Sequence, residues 1–379
     1  MALARRTRRQ TLTEDQRQMY ASEKLMNFRW ISKVIATYSP YTLSSKDFAP
    51  AEIKTYLSEI GQFAEIAYSA NAIPTEFIFD NMTSLLEPDF PLEEYPCLRG
   101  AVLISAFKGT VADLPGYIAY QPHTKQLVVA FSGTWSGMQA LYDVHALKHR
   151  HPSRHGRVHS GFWQLYKGVK AFAFGGIRKG LAEHEVEEIV ITGHSMGGTV
   201  SQFLLLDILR DENLVSAGSI PLKLVVFGAP RCGTNNLANY WQELLAKRRK
   251  QYGDASISEY SVKTYNDGVP SLPPLSFGYH HFAQSPLYFV HGNLYQVPPE
   301  FCEHALFHVT PDTGNEDVRP EHPRGGHNYY NGRDMEKLAR RLNWLNKAIK
   351  GKGHWKELYR ARVARHTKKP SVLLASGAD

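Results

Sequence analysis

The chain has 379 residues, of which 43% are hydrophobic and 21% are charged, a composition that predicts a globular protein with a large core. No run approaches the roughly eighteen apolar residues of a membrane span, and the Arg-rich start is not followed by the apolar h-region of a secretory signal. Three widely spaced cysteines form neither a disulfide framework nor a CxxC metal pair, so we expect free thiols and a cytoplasmic protein.

Positive charge is concentrated at the two ends of the chain. Residues 347–369 carry nine Lys or Arg and one Glu, and residues 1–10 carry four Arg and no acid, so the remaining body is mildly acidic. These ends are either solvated tails or a means of weak attachment to anionic membrane surfaces. Nucleic acid is not an expected partner, because no binding motif accompanies the charge. We therefore predict a basic arm with a helical extension at 1–70, a main domain at 71–346 and a basic tail at 347–379.

The hydrophobic pattern changes from helical to strand-like and then alternates. Helices are predicted at 12–38 and 49–70, and strands at 100–109, 116–121 and 126–134, the last two as a hairpin. Later strands are predicted at 188–193, 222–230 and 260–267, and later helices at 159–184, 197–211, 236–250 and 333–349. This alternation predicts an α/β fold, in which a mostly parallel sheet is covered by helices on both faces.

One serine, Ser195, stands where a predicted strand gives way to a helix in EEIVITGHSMGGTVSQFLLLDIL. Gly193 and Gly197 flank it in the G-x-S-x-G pattern of a nucleophile elbow. The turn must be sharp to hold the Oγ clear of the sheet, and larger side chains at the two Gly positions would collide with the adjoining strand and helix. The N–H of Met196, at the helix N-terminus, is then an oxyanion donor. The alternative is a turn that serves packing alone.

Four further landmarks surround this serine in the order that one family shows. They are VVAFSGT, VHSGFW, FGAPRCG and YNDGVPSLPP, and with GHSMGG the chain resembles the class 3 (fungal-type) lipases of the α/β-hydrolase fold from about Leu98 to Leu345. The resemblance implies that 71–346 is the hydrolase domain. Two positions depart from the family pattern: Ser132 replaces the usual Arg, which we expect to loosen the oxyanion loop, and Cys232 stands where Val is common.

The resemblance assigns roles to particular residues. Ser195 is the expected nucleophile, with the backbone amides of Met196 and Thr134 as the oxyanion donors. Asp267 is the expected acid, because it follows a predicted strand and precedes a Pro-stiffened loop. Its rivals lack that placement; they are Asp254, Asp312 and Asp317.

The base must follow Asp267 in the chain order Ser, Asp, His. We choose His327, which precedes the last predicted helix and, with Tyr330, matches the family's H-x-x-Y/F pattern; His322 and His308 are the alternatives. His194 is expected to pack and hydrogen-bond. A separate histidine cluster is expected to be solvated and to bind no metal, because no carboxylate or Cys accompanies it at matched spacing. It comprises His145, His149, His151 and His155.

An apolar stripe at helical spacing lies between Thr134 and Val158 and comprises Trp135, Met138, Leu141 and Tyr142. In the family this segment is a lid over the active site, and the stripe favours long acyl substrates. The alternative is a helix that is simply packed on the body.

The motifs and the family resemblance together predict a serine hydrolase of lipid carboxylic esters, and they favour an acylglycerol lipase. This chemistry needs no metal or organic cofactor. The expected partners are a lipid ester and an anionic membrane or lipid-droplet surface, and the oligomeric state stays open. One alternative is a carboxylesterase for aryl or short-chain esters. Another is a catalytically silent lipid-binding or membrane-adaptor protein.

Overall fold

The structure is a computed structural model that describes residues 36, 38–133, 147–215, 218–290, 292–310 and 326–367. Most of the helix predicted over 12–38, together with the predicted lid residues Trp135, Met138, Leu141 and Tyr142, lies outside these described residues, as does Thr134. Among the described helices, none is long and apolar enough to cross a lipid bilayer.

The described residues form one large sheet and three small two-stranded ones. The strands in chain order are β1 Tyr38–Leu43, β2 Val102–Lys108, β3 Pro115–Gln121, β4 Gln126–Phe131, β5 Lys148–Arg150, β6 Arg157–His159, β7 Glu188–His194, β8 Leu222–Phe227, β9 Ile257–Thr264, β10 Leu287–Val290, β11 Asn293–Gln296, β12 Leu306–Val309, β13 Tyr329–Tyr330 and β14 Arg333–Asp334. The large sheet has the order β11-β10-β9-β8-β7-β4-β3-β2. Its five central strands, from β4 to β10, run parallel, and antiparallel strands close both edges.

Helices cover both faces of this sheet. In chain order they are α1 Ala51–Ile66, α2 Thr75–Asp80, α3 Met82–Leu85, α4 Ser160–Glu183, α5 Met196–Arg210, α6 Asn235–Tyr252, α7 Met335–Ile349 and α8 Trp355–Thr367. Alternate side chains of each strand point to opposite faces. On β4, Leu127 and Val129 therefore join a core with α4, α5 and α6, while Val128 and Ala130 join a second core with α1, α7 and α8. The predicted α/β fold with a mostly parallel sheet is confirmed.

Strand order places the loops that carry the candidate site residues at one edge of the sheet. Strands β7, β8 and β9 are parallel neighbours, so the loops that follow them meet beyond their carboxyl ends. Ser195 follows β7, Gly228 follows β8 and Asp267 lies three residues beyond β9. The predicted strand–helix alternation thus brings the serine and the acidic loop to the same edge.

Several elements were not anticipated from the sequence. Short strands β10, β11 and β12 follow the acidic loop, and β1 pairs in parallel with β12. Residues 355–367, within the predicted basic tail, form α8, in which Tyr359 and Val363 are buried one helical turn apart. Trp355 and Leu358 pack partly buried against the same core, but the many charged residues between these positions hide the amphipathic pattern of the helix in the sequence. The boundaries predicted at residues 70 and 346 stay predictions.

Candidate active site

Ser195 is the N-cap of α5 and has φ +60° and ψ −129°, a region that residues with a side chain rarely occupy. Its backbone N–H donates a hydrogen bond of 2.8 Å to the carbonyl of Phe227, which fixes the turn against β8. The side chain is 6% exposed. Met196 is the first residue of α5, so its N–H belongs to the helix-terminal groups that lack an intrahelical acceptor. This arrangement has the form of a nucleophile elbow.

The two elbow glycines are required by close backbone approach. A Cβ on Gly193 would lie 2.4 Å from the carbonyl carbon of Gly197, and a Cβ on Gly197 would lie 2.3 Å from the carbonyl oxygen of Phe131. Both contacts involve main-chain atoms, which cannot move aside without displacing a central strand or α5. Any larger residue at either position would therefore open the turn at Ser195.

Strand β4, the neighbour of β7 in the sheet, ends beside Ser195. The Cβ position of Gly133 lies 3.0 Å from the Cβ of Ser195, so the end of the FSGT motif is adjacent to the nucleophile. Ser132 is fully buried, and its hydroxyl donates to the carbonyl of Gly133. The predicted donor, Thr134, is the next residue in the chain and lies outside the described residues.

Asp267 is fully buried and its carboxylate accepts three hydrogen bonds. The Oδ1 accepts the N–H of Val269 at 2.9 Å, and the Oδ2 accepts the Tyr330 hydroxyl at 2.6 Å and the Nδ1–H of His327 at 3.0 Å. All three donors come from uncharged groups when the imidazole is neutral. Of these three partners, the imidazole is the one that can acquire a positive charge during a reaction.

His327 is 2% exposed and lies just before β13. Its hydrogen bond to Asp267 places the proton on Nδ1, which leaves Nε2 as the basic nitrogen. Its loop is tied to the acidic loop by a 2.6 Å bond from the Gly326 N–H to the carbonyl of Tyr265. The imidazole ring lies 4.4 Å from that of His194, the residue before Ser195.

Gly228, in the FGAPRCG motif, lies beside the Asp267–His327 pair. It has φ +58°, and a Cβ there would lie 2.7 Å from the Tyr330 hydroxyl and 2.8 Å from Asp267 Oδ2. A side chain would therefore displace the two groups that bond to each other beside the imidazole. Because Gly228 has no side chain, the motif that follows β8 leaves room for the Tyr330 hydroxyl and the Asp267 carboxylate.

Tyr68 is a residue of the site that the sequence did not reveal. Its hydroxyl bonds to Nδ1 of His194 at 2.7 Å and accepts the backbone N–H of Gly133. The other nitrogen of His194 donates to the carbonyl of His327 at 2.8 Å. Burial, and next the neighbouring His327, hold the pKa of His194 well below its usual range, so it stays neutral and can serve both bonds. Tyr68 and His194 thereby connect the end of β4 to the loop of the base.

A buried ion pair holds the loop that carries Asp267 in place. Arg231, of the FGAPRCG motif, is 4% exposed and pairs with Glu303 at 2.6 Å. The same guanidinium donates to the carbonyls of Ser271 and Pro273, at 2.6 and 3.0 Å. The loop that carries Asp267 is therefore fixed by a charged group from the loop after β8.

The other candidate residues lie elsewhere or outside the described residues. His308 is on β12, stacked on Tyr38 with ring centroids 4.4 Å apart. Asp254 precedes β9, at the opposite end of that strand from Asp267. Cys232 is buried and its thiol contacts Oε1 of Gln202. Three of the alternatives fall in the undescribed part of the chain: Asp312, Asp317 and His322.

The predicted solvated histidine cluster divides into separate environments. His149 is exposed on β5, while His151 is buried and bonds Ser153. His155 stacks on Tyr240 with ring centroids 3.8 Å apart, and His145 lies outside the described residues. Across the residues that the structure describes, no group of three or more His, Cys, Asp or Glu side chains could hold a metal ion.

Comparison with known proteins gives one consistent family. Residues 128–277 match the sequence model described as lipase (class 3). A lipase of Rhizopus niveus is 27% identical over 47% of this chain and 43% of its own. The secreted mono- and diacylglycerol lipase A of Penicillium cyclopium is 30% identical over 48% of this chain and 53% of its own. The chain therefore spans about half the length of the relatives that it matches.

A solved structure extends the similarity of fold over more of the chain. The lipase from Rhizopus microsporus var. chinensis superimposes with a TM-score of 0.57 at 20% identity, covering 80% of this chain and 98% of that one. The expectation of a cytoplasmic protein is wrong, because the Penicillium cyclopium relative is named as a secreted lipase. The small number of cysteines misled that expectation. A chain with a core of this size can be secreted without a disulfide framework, which mainly small domains need.

Proposed function

We propose that this chain, which belongs to the class 3 lipase family, is a serine hydrolase that cleaves the carboxylic ester bonds of acylglycerols. The observation that carries the proposal is the meeting of a strained serine elbow with a buried Asp–His pair at one edge of the sheet. Ser195 has φ +60°, and Asp267 and His327 are joined by a 3.0 Å hydrogen bond. These are the groups that acyl transfer through a serine requires.

In the proposed reaction, Nε2 of His327 removes the proton from the Ser195 hydroxyl as Oγ attacks the ester carbonyl. Asp267 orients the imidazole and stabilises its positive charge. The N–H of Met196, and in our prediction that of Thr134, stabilise the oxyanion. The imidazolium then protonates the departing alcohol, and water attacks the acyl-enzyme by the same route in reverse, with the imidazole as base.

The choice of substrate rests on the relatives. The Penicillium cyclopium protein is named a mono- and diacylglycerol lipase, and an acylglycerol ester suits the apolar stripe predicted for the lid. That stripe comprises Trp135, Met138, Leu141 and Tyr142. Its role as a lid, and the contact of the basic tail with anionic surfaces, stay predictions.

Covalent labelling tests the nucleophile directly. Purified protein should react with a fluorophosphonate probe, and Ser195→Ala should abolish both labelling and ester hydrolysis while retaining the thermal stability of the wild type. Ser201→Ala is a matched control, because this serine lies on α5 and its hydroxyl donates to the carbonyl of Gly197. The control should keep full labelling. Undiminished labelling of Ser195→Ala at another residue would show that the nucleophile has been wrongly assigned.

A substrate panel then separates the two hydrolase functions. Hydrolysis of emulsified mono-, di- and triacylglycerols is measured beside that of soluble p-nitrophenyl esters of increasing chain length. An acylglycerol lipase should act on the emulsions and prefer the longer acyl chains. Activity restricted to short or aryl esters would instead favour the carboxylesterase alternative, with the same serine as nucleophile.

A further inference from the structure

A cavity whose lining includes none of the proposed triad residues lies between the β5–β6 hairpin and the N-terminus of α6. Its volume is about 650 Å³, which is within the range of small-ligand sites. Arg150, Arg154 and Arg157 line it, together with Asn235 and Asn236 in the first turn of α6, and none of its lining residues is acidic. We call this cavity the arginine cleft.

The backbone around the arginine cleft is fixed by hydrogen bonds between distant segments. Arg157 and Thr234 exchange two of them: the N–H of Arg157 donates to the Thr234 hydroxyl at 3.0 Å, and the N–H of Thr234 donates to the carbonyl of Arg157 at 2.9 Å. The N–H of His280 donates to the carbonyl of Gly233 at 2.7 Å. The hairpin, the start of α6 and the segment at His280 therefore form a preformed surface.

The three arginines of the cleft differ from the buried arginines of the same protein. Arg231, Arg248 and Arg333 each pair with a glutamate. The cleft arginines are exposed, and within the part of the chain that the structure describes none of their guanidinium groups forms an ion pair or a side-chain hydrogen bond. The nearby Glu303, which bonds His280, already pairs with Arg231. Among the described residues, therefore, no carboxylate pairs with the positive charge of the cleft arginines.

Helix α6 adds to this field. It has 18 residues and its N-terminus opens into the cleft, so the positive end of its dipole and the free N–H groups of its first turn face the same space. One guanidinium group can donate two parallel hydrogen bonds to the oxygens of a phosphate. Helix N-termini also bind phosphate, through their free backbone N–H groups. Three arginines and a helix N-terminus around one space suit a multiply charged anion such as phosphate better than a single carboxylate.

We propose that the arginine cleft binds a phosphate group, carried either by a lipid headgroup or by a soluble phosphate ester. The loop from β8 to α6 starts at the sheet edge where Ser195 and Asp267 lie, so the cleft opens beside the catalytic edge. A bound headgroup would orient that edge toward a lipid surface. The proposal is independent of the hydrolase reaction, because no cleft residue takes part in it.

Inorganic phosphate is the first probe. Its dissociation constant is measured by calorimetry at constant ionic strength for the wild type and for Arg154→Gln/Arg157→Gln. Loss of two charge-assisted contacts should weaken binding by roughly tenfold or more. The matched control, Lys247→Gln/Lys250→Gln, removes two exposed charges from the far end of α6 and should bind as the wild type does. Equal binding by all three proteins would overturn the proposal, as would absence of binding by the wild type.

Vesicles distinguish the two sources of phosphate. Sedimentation is compared for phosphatidylcholine vesicles that contain either phosphatidic acid or phosphatidylserine at equal surface charge. A preference for phosphatidic acid that the Arg154→Gln/Arg157→Gln protein loses assigns the cleft to a headgroup; phosphate binding without this preference assigns it to a soluble ester. Hydrolysis of a soluble p-nitrophenyl ester should be unchanged in every variant, so loss of phosphate binding and failure of the hydrolase proposal are separate results.

Discussion

Two buried aspartates, Asp207 and Asp267, have nearly the same local partner and different surroundings. Each carboxylate accepts a tyrosine hydroxyl, from Tyr166 at 2.5 Å and from Tyr330 at 2.6 Å. Asp207 also pairs with two cations, Lys170 at 2.6 Å and Arg210 at 2.9 Å. Asp267 instead bonds a backbone N–H and the imidazole of His327.

The difference separates a structural carboxylate from one that can serve a reaction. The charge of Asp207 is neutralised permanently, so it stabilises the packing of α4 on α5 and has no remaining electrostatic task. Among the described residues, Asp267 bonds no Lys or Arg side chain, and the imidazole of His327 is the partner that can become positively charged during a reaction. A carboxylate of this second kind favours an imidazolium in the transition state. Burial and hydrogen bonding alone therefore do not distinguish Asp267 from Asp207; the two cations that pair with Asp207 do.

The largest effect is expected from Asp267→Asn. The amide retains the volume of the side chain but can donate to Nδ1 of His327, which favours the wrong tautomer, and kcat should fall by roughly four orders of magnitude. The free energy of unfolding should change by less than about 1 kcal/mol, because no paired cation is left behind. Steady-state kinetics and urea unfolding of the same preparation measure the two effects. A variant that unfolds easily but keeps its kcat when folded would make Asp267 structural.

Asp207→Asn should give the opposite result. Lys170 and Arg210 lose their counter-charge, but their side chains are 40% and 27% exposed, so water can partly replace it. We expect the free energy of unfolding to fall by about 1 to 3 kcal/mol, less than for a broken pair in which both partners are fully buried. The kcat of the folded protein should equal that of the wild type. A thousandfold loss of kcat with normal stability would remove the distinction between the two aspartates.

The stability effect of Asp207 should depend on pH in one direction. Burial alone would raise its pKa, but hydrogen bonds from Lys170 and Tyr166 and the charges of Lys170 and Arg210 lower the pKa below its ordinary value of 3.8. A carboxyl group with a lowered pKa stabilises the folded state fully above its unfolded pKa, and this contribution is lost as pH falls through the folded pKa. The advantage of the wild type over Asp207→Asn should therefore be constant above about pH 5 and shrink below about pH 4. Urea midpoints of both proteins across this range are the measurement, and an advantage that grows in acid would contradict the linkage.

The two aspartates also indicate what the sequence could predict. The elbow was readable because five consecutive residues around Ser195 carry it, and the sheet was readable because its central strands are continuously apolar. Asp267 and His327 are 60 positions apart, so their pairing came from family resemblance and not from spacing. Tyr68 and His194 are 126 positions apart, and no local pattern marks that tyrosine.

The missed elements are those in which local pattern is weak. Strands β10, β11 and β12 have four residues each, too few for alternation to stand out from a loop. Helix α8 was hidden by its charge. The sequence also carried no sign of the role of Asp207. Its partners on α4 are 37 and 41 positions away, so its pairing with cations is visible only in the packed structure.

The smallest effects are expected from changes to Tyr330 and Tyr166, the hydroxyl donors of Asp267 and Asp207. These changes test the difference between the two aspartates most closely. Tyr330→Phe removes one of three donors from the Asp267 carboxylate, so the imidazolium interacts with a less well-oriented charge and kcat should fall by roughly tenfold. Tyr166→Phe removes the equivalent donor from Asp207, where two cations remain, and should cost about 1 kcal/mol of unfolding free energy with kcat unchanged. Both tyrosines are buried and both changes delete one hydroxyl, so each variant controls for the packing effect of the other. The informative quantity is the ratio of kcat values at matched fraction folded. Equal kcat for the two variants would mean that the hydroxyl on Asp267 serves packing alone, and that the imidazole and the Val269 N–H suffice to position the acid.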